Sequence, residues 1–98
     1  MKSYDIFDLY HKTLTEKRDA LELALDAAEE ADRAAWEKYD GLTEEEYNAN
    51  PREYDHMVEA TSKTYKAIKE HLASIQDAIT YAARLEQELS FLEEEGVL

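Results

Sequence analysis

The stretch YDGLTEEEYNANPRE, residues 39–53, holds one of the chain's two glycines and its only proline, and its reading decides the fold. Gly41 suits a left-handed helix end, and Thr43 with Glu46 makes a capping-box pattern that opens a short helix running to about Asn48. Asn50 can cap a further helix, with Pro51 at its first position, where the missing N–H costs nothing, and Glu53 at its third. The other glycine, Gly96, lies two residues from the end, so helix punctuation is confined to this connection and the terminus.

Outward from the connection, both arms carry helical periodicity. On the N-terminal side Phe7, Leu14, Leu21, Ala28 and Ala35 recur every seven residues, flanked by Tyr10, Ala24, Leu25 and Ala31, while Asp5, Lys12, Asp19, Asp26 and Arg33 hold the opposite position. That pattern predicts an amphipathic helix over about 5–39. On the C-terminal side Tyr54, Thr61, Ile68, Ile75, Ala82 and Leu89 recur at seven, joined by Met57, Val58, Tyr65, Leu72, Ala78, Ile79, Leu85 and Leu92, and predict a helix over about 51–94. Its apolar face is wider than a two-stranded seam requires, which implies more than one helical neighbour. The expectation is an all-α fold: residues 1–98 as a single helical domain, a long antiparallel, coiled-coil-like hairpin with a short helix in the connection (40–50), pairing into a four-helix bundle.

An antiparallel pair keeps the total of facing residue numbers constant. Phe7 with Ala82, Leu14 with Ile75, Leu21 with Ile68, Ala28 with Thr61 and Ala35 with Tyr54 all total 89. This register sets small residues of the first helix against the aromatic end of the second. It also brings Glu22, Asp26 and Glu29 near Lys63, Lys66 and Lys69. Residue 86 then faces Ser3, so the second helix outreaches the first and leaves Leu89, Phe91, Leu92, Val97 and Leu98 uncovered. An apolar overhang of this kind calls for a second copy or another protein. Leu85, Leu89, Phe91 and Leu92 are the expected dimer contacts.

Composition narrows the function. The 11 Lys and Arg face 24 Asp and Glu, a formal net charge of -13. Residues 1–49 contribute -8 and residues 50–98 contribute -5, so the acidity belongs to the whole chain. Such a field repels nucleic acid and anionic membrane and favours basic protein surfaces. With no cysteine, disulfides and thiolate metal sites are excluded, in keeping with a reducing, cytoplasmic setting. Met1 to Tyr10 show no secretory signal, and no stretch could span a membrane.

Catalytic apparatus is not visible. Glu53 and His56 make the E-x-x-H spacing of di-iron bundles, but they occupy a helix start where Glu53 has a capping role. Glu16 with Asp19, and Glu29 with Asp32, match an E-x-x-D spacing that holds magnesium in helical pyrophosphohydrolases, yet that chemistry needs carboxylates converging from different helices. His11 and His71 fall near the seam without a nucleophile, and no glycine-rich phosphate loop accompanies them. No enzyme activity, cofactor or metal is expected.

What remains is a surface. Trp36, Tyr39, Tyr47, Tyr54 and Met57 gather at the connection, where aromatics both close the hairpin and suit a partner's hot spot. Glu37, Asp40, Glu44, Glu45 and Glu46 are interleaved with them, and Glu22, Asp26, Glu29, Glu30 and Asp32 extend the negative charge along the outer faces as a rod, so the expected partner-binding set is these carboxylates with Trp36, Tyr39 and Tyr47. The partner is expected to be a basic protein surface, as on a nucleic-acid-binding protein or nuclease complex, occupied by carboxylates where phosphates would lie. The alternative is a structural coiled-coil or secretion-partner protein that binds through the apolar overhang.

In size, and in a central Trp near a Gly, the chain resembles the helical-hairpin proteins of type VII secretion. Those carry Trp and Gly one residue apart at the turn, whereas Trp36 and Gly41 are separated by four, so membership is not assigned. In general character it resembles the small acidic inhibitors that bacteriophages deploy against restriction and CRISPR nucleases. That is a likeness of type and implies an inhibitor acting as a DNA mimic.

Overall fold

The computed structural model describes residues 3–96 and is an all-α helical hairpin of three helices, α1 (Ser3–Asp40), α2 (Glu44–Ala49) and α3 (Pro51–Glu94). No strand occurs among the described residues. Val97 and Leu98, assigned above to the apolar end, lie outside them. No helix among the described residues is long and apolar enough to cross a membrane.

The punctuation in 39–53 acts largely as its residue types dictate. Thr43 and Glu46 form the complete capping box: the Glu46 amide donates to Thr43 Oγ1 at 3.1 Å, and Glu46 Oε1 accepts from the Thr43 amide at 3.3 Å. Asn50 caps through its backbone, its carbonyl accepting from the Tyr54 amide at 3.3 Å, and Pro51 opens α3. Gly41 departs from expectation. Its φ is not positive, and its amide simply continues the helical pattern to the Glu37 carbonyl at 3.1 Å. Its smallness eases a close approach, since a Cβ would sit a tight 3.2 Å from that same carbonyl oxygen. The left-handed end belongs to Gly96 instead, at φ 76°, just past α3.

Contacts group the chain into two units. In the unit of Met1–Leu21 with His71–Leu98, the buried residues are Leu14 on α1 and Leu72 and Ala82 on α3. Ala82 is the most enclosed residue, 1 % exposed, a methyl where the helices meet closely. Phe7, Ile75, Ile79, Leu85 and Leu89 are half-buried around them. Here His11 Nδ1 lies 3.3 Å from Glu86 Oε1, a facing pair that totals 97 rather than 89. Ser3 lies eight residues before His11 and Glu94 eight after Glu86, so α1 begins level with where α3 ends. The overhang expected from the sequence is therefore absent, and Leu89, placed in it, is half-buried.

In the unit Glu22–Glu70, Ala28 and Ala35 on α1 and Val58 on α3 are buried, with Leu25, Tyr54, Met57, Tyr65 and Ile68 half-buried. Asp32 meets Thr61 and Ser62, facing pairs that total 93 and 94. The register thus differs from the expected one in this unit too. The cause is general: a seven-residue repeat fixes which face is buried but leaves the axial offset free by whole turns. Polar side chains help to choose the offset, here the carboxylate of Asp32 with the hydroxyls of Thr61, itself in the repeat, and of Ser62 beside it.

Candidate protein-binding surface

Helical spacing gathers Glu22, Asp26, Glu29, Arg33, Trp36 and Asp40, three or four residues apart in turn, onto one face of α1, with Glu30 and Glu37 at its edge. All are exposed. The indole of Trp36 marks where this face borders α3: its Nε1 donates to Ser62 Oγ at 3.2 Å, while the ring remains 41 % exposed. Ser62 in turn donates to Asp32 Oδ1 at 2.8 Å, and the same oxygen accepts from Thr61 Oγ1 at 2.9 Å. Indole, hydroxyl and carboxylate form a chain in which each bond polarises the next. Trp36 is held in position by a carboxylate beneath it.

A second carboxylate organises the connection. Asp55 accepts from the Tyr39 hydroxyl at 3.2 Å and from the Tyr47 hydroxyl at 3.1 Å, so residues of α1, α2 and α3 meet on one side chain. The hydrogen bond to Asp55, then desolvation and the neighbouring Tyr39, push the Tyr47 phenol up to about 12. The rings continue the contact edge to face, Trp36 with Tyr39 at 5.5 Å and Tyr39 with Tyr47 at 5.8 Å between centroids. Such pairs contribute about 0.5–1.5 kcal/mol each beyond area burial.

The expected binding set therefore divides. Asp32, Tyr39 and Tyr47 are half-buried and bonded within the hairpin, and Glu46 is bound in its capping box. Glu22, Asp26, Glu29, Glu30, Trp36, Glu37, Asp40, Glu44 and Glu45 face solvent. The inter-helix ion pairs expected from Glu22, Asp26 and Glu29 to Lys63, Lys66 and Lys69 do not form among the described residues. Lys63 pairs with Glu59 of its own helix at 2.8 Å, which lowers the Glu59 carboxyl and raises the Lys63 amine. Lys69 lies 5.9 Å from the centre of the Tyr65 ring. Long exposed side chains find local partners at smaller entropic cost than partners across a seam, and the shifted register removes the geometry the longer pairs needed.

Asp55 and Ser62 escaped the sequence reading. Ser62 falls one residue after the apolar row position Thr61, which is the one signal that could have placed it against α1. Glu53 and His56 are both exposed, and no group of three or more His, Asp or Glu side chains among the described residues is arranged to hold a metal ion. Of the expected dimer residues, Leu85 and Leu89 are half-buried, and Phe91 and Leu92 are exposed.

No protein-family model matches the chain, and no curated protein and no solved structure is significantly similar to it.

Proposed function

We propose that the protein is a non-enzymatic interaction module that binds a basic protein surface through the acidic face of α1 and the connection. The observation that carries this reading is Trp36, held half-exposed by the Ser62–Asp32 chain within a stripe of solvent-facing carboxylates. A fixed aromatic inside a charged field has the makeup of an interaction hot spot. The residues Glu22–Glu70 hold 14 acidic and 6 basic side chains, a net -8.

The charge density supports a finer reading, an inhibitor that occupies a nucleic-acid-binding groove. Between Glu22 and Asp40 there are 6 solvent-facing carboxylates, Asp32 being bonded within the hairpin. At 1.5 Å rise per residue that is one per roughly 5 Å of helix, against one phosphate per about 3.4 Å of a single DNA strand. Such a density suits a DNA mimic of the kind phages direct against restriction or CRISPR nucleases.

The test compares the wild-type chain with a variant carrying Glu22→Gln, Asp26→Asn, Glu29→Gln, Glu30→Gln and Glu37→Gln as baits. Basic nucleic-acid-binding proteins should be retained by the wild type, displaced by added duplex DNA and by salt, and lost with the variant. Retention of the same non-basic partners by both baits at high salt would sink the electrostatic reading. A second reading, a structural assembly protein, is favoured by Phe91 and Leu92, which stay exposed near the end of α3.

A further inference from the structure

We propose that the protein self-associates as a two-fold dimer through one flank of the Met1–Leu21 and His71–Leu98 unit, α1 of each copy lying over α3 of the other. This inference uses none of the acidic-stripe residues and stands independently of the binding role above. Eight large apolar side chains are exposed among the described residues, and six belong to this unit: Ile6, Leu9, Tyr10, Tyr81, Phe91 and Leu92.

Helical spacing puts Ile6 and Tyr10 on one face of α1, and Tyr81, Leu85 and Leu92 on one face of α3. In an antiparallel pair, the residues that precede two facing seam residues lie on the same flank. Tyr10 precedes His11 and Leu85 precedes Glu86, and His11 faces Glu86 at 3.3 Å. Ile6, Tyr10, Tyr81, Leu85 and Leu92 therefore share one flank, bordered on the outer face of α3 by a shallow groove lined by Arg84, Gln87, Glu88, Phe91 and Leu92.

Charge identifies the occupant as a second copy. The α1 arm of the unit carries four basic and four acidic residues, whereas the α3 arm carries one basic and six acidic. Stacking α3 on α3 would set two acidic arms together. A two-fold axis along the helices instead lays each acidic α3 over a neutral α1 that offers Lys17, seven residues on from Tyr10 on the same flank, in an isologous contact.

Sedimentation equilibrium of the full chain should give a mass near twice 11.4 kDa that falls on dilution. Tyr81→Glu with Phe91→Glu should give a monomer whose helical circular dichroism is unchanged, while Leu23→Glu, at a residue 73 % exposed in the other unit, should remain dimeric. The chain lacks cysteine, so orientation can be read by oxidising mixed single-cysteine chains: Tyr10→Cys with Glu88→Cys should cross-link, and Glu88→Cys alone should not. A monomer at every concentration overturns the proposal, even if another protein covers the flank. So does a dimer indifferent to the paired Glu substitutions, or one cross-linked by Glu88→Cys alone.

Discussion

Replacing Glu86 by Leu should stabilise the hairpin. Val58, Tyr65, Leu72, Ile79 and Glu86 recur at seven on α3, and the first four are buried or half-buried, so a carboxylate occupies the next seam position. Its side chain is 17 % exposed, and Oε1 is shielded from solvent with no hydrogen-bond partner, the nearby His11 Nδ1 at 3.3 Å standing out of line for one. An unsatisfied buried oxygen of this kind costs about 1–3 kcal/mol. Leucine removes that cost and adds buried apolar area, offset by loss of the His11 attraction, worth about 0–1 kcal/mol for so open a partner. The net expectation is a gain of about 1–2 kcal/mol. For a chain of this size that raises Tm by roughly 4–16 °C. Thermal unfolding followed by circular dichroism, at one fixed protein concentration, reads it directly. Gln87→Leu, at the exposed neighbouring position, serves as control and should stay within about 0.5 kcal/mol. A Glu86→Leu protein that melts below the wild type would refute the assigned register, since a solvated Glu86 gains nothing from the change.

Ala82→Leu should destabilise by about 1–3 kcal/mol through overpacking, because the methyl is 1 % exposed, whereas Ala73→Leu on the outer face should be near neutral by the same melts. Asp32→Ala should cost about 1–3 kcal/mol by removing the charged acceptor of Thr61 and Ser62, and should shift Trp36 fluorescence as its Ser62 anchor loosens. The Tyr47 phenol, raised in the folded chain from 10.0 to about 12, keeps its proton better folded than unfolded, so its contribution is complete below pH 10 and is lost as pH rises through about 12. Tyrosinate absorbance should accordingly show a late-titrating phenol that Asp55→Ala returns to the ordinary range.

Secondary structure was legible because the chain concentrates its breaking residues. With Gly41 and Pro51 the only interior punctuation, and with Thr43 and Glu46 spaced for a capping box, the helix ends are locally determined. The buried faces were legible for the same local reason, as Leu14, Ala28 and Ala35 share one row. Register was not. Sliding α3 by a turn leaves the apolar rows facing each other, and the discrimination rests on polar pairs, Asp32 with Thr61 and Ser62, that hydrophobic periodicity does not register. Glu86 shows the same blindness from the other side. It continues the row of Val58, Leu72 and Ile79, but a carboxylate carries no apolar signal to mark it as part of the seam. In the binding set, residue type alone could not separate Asp32, bound to two hydroxyls, from Glu29 beside it in the stripe and free to face solvent.

The distribution of polarity bears on why the corrected register matters. The whole chain is acidic, Glu22–Glu70 holding a net -8 and the other unit a net -5, and within that other unit the charge is uneven, its α1 arm neutral and its α3 arm at -5. The exposed large apolar side chains follow the opposite distribution, six of eight falling outside Glu22–Glu70. Under the expected register the uncovered apolar residues were Leu89, Phe91, Leu92, Val97 and Leu98, all from one unpaired helix end. With α1 and α3 ending level, they come from both helices, and Ile6 and Tyr10 join Tyr81 and Leu92. An unpaired helix end invites any hydrophobic groove, whereas a flank built from an acidic helix beside a neutral one is complementary to its own copy. The acidic stripe and the apolar flank are thus separable by mutation, and Trp36 with its carboxylates can be tested for binding in a chain whose association has been abolished.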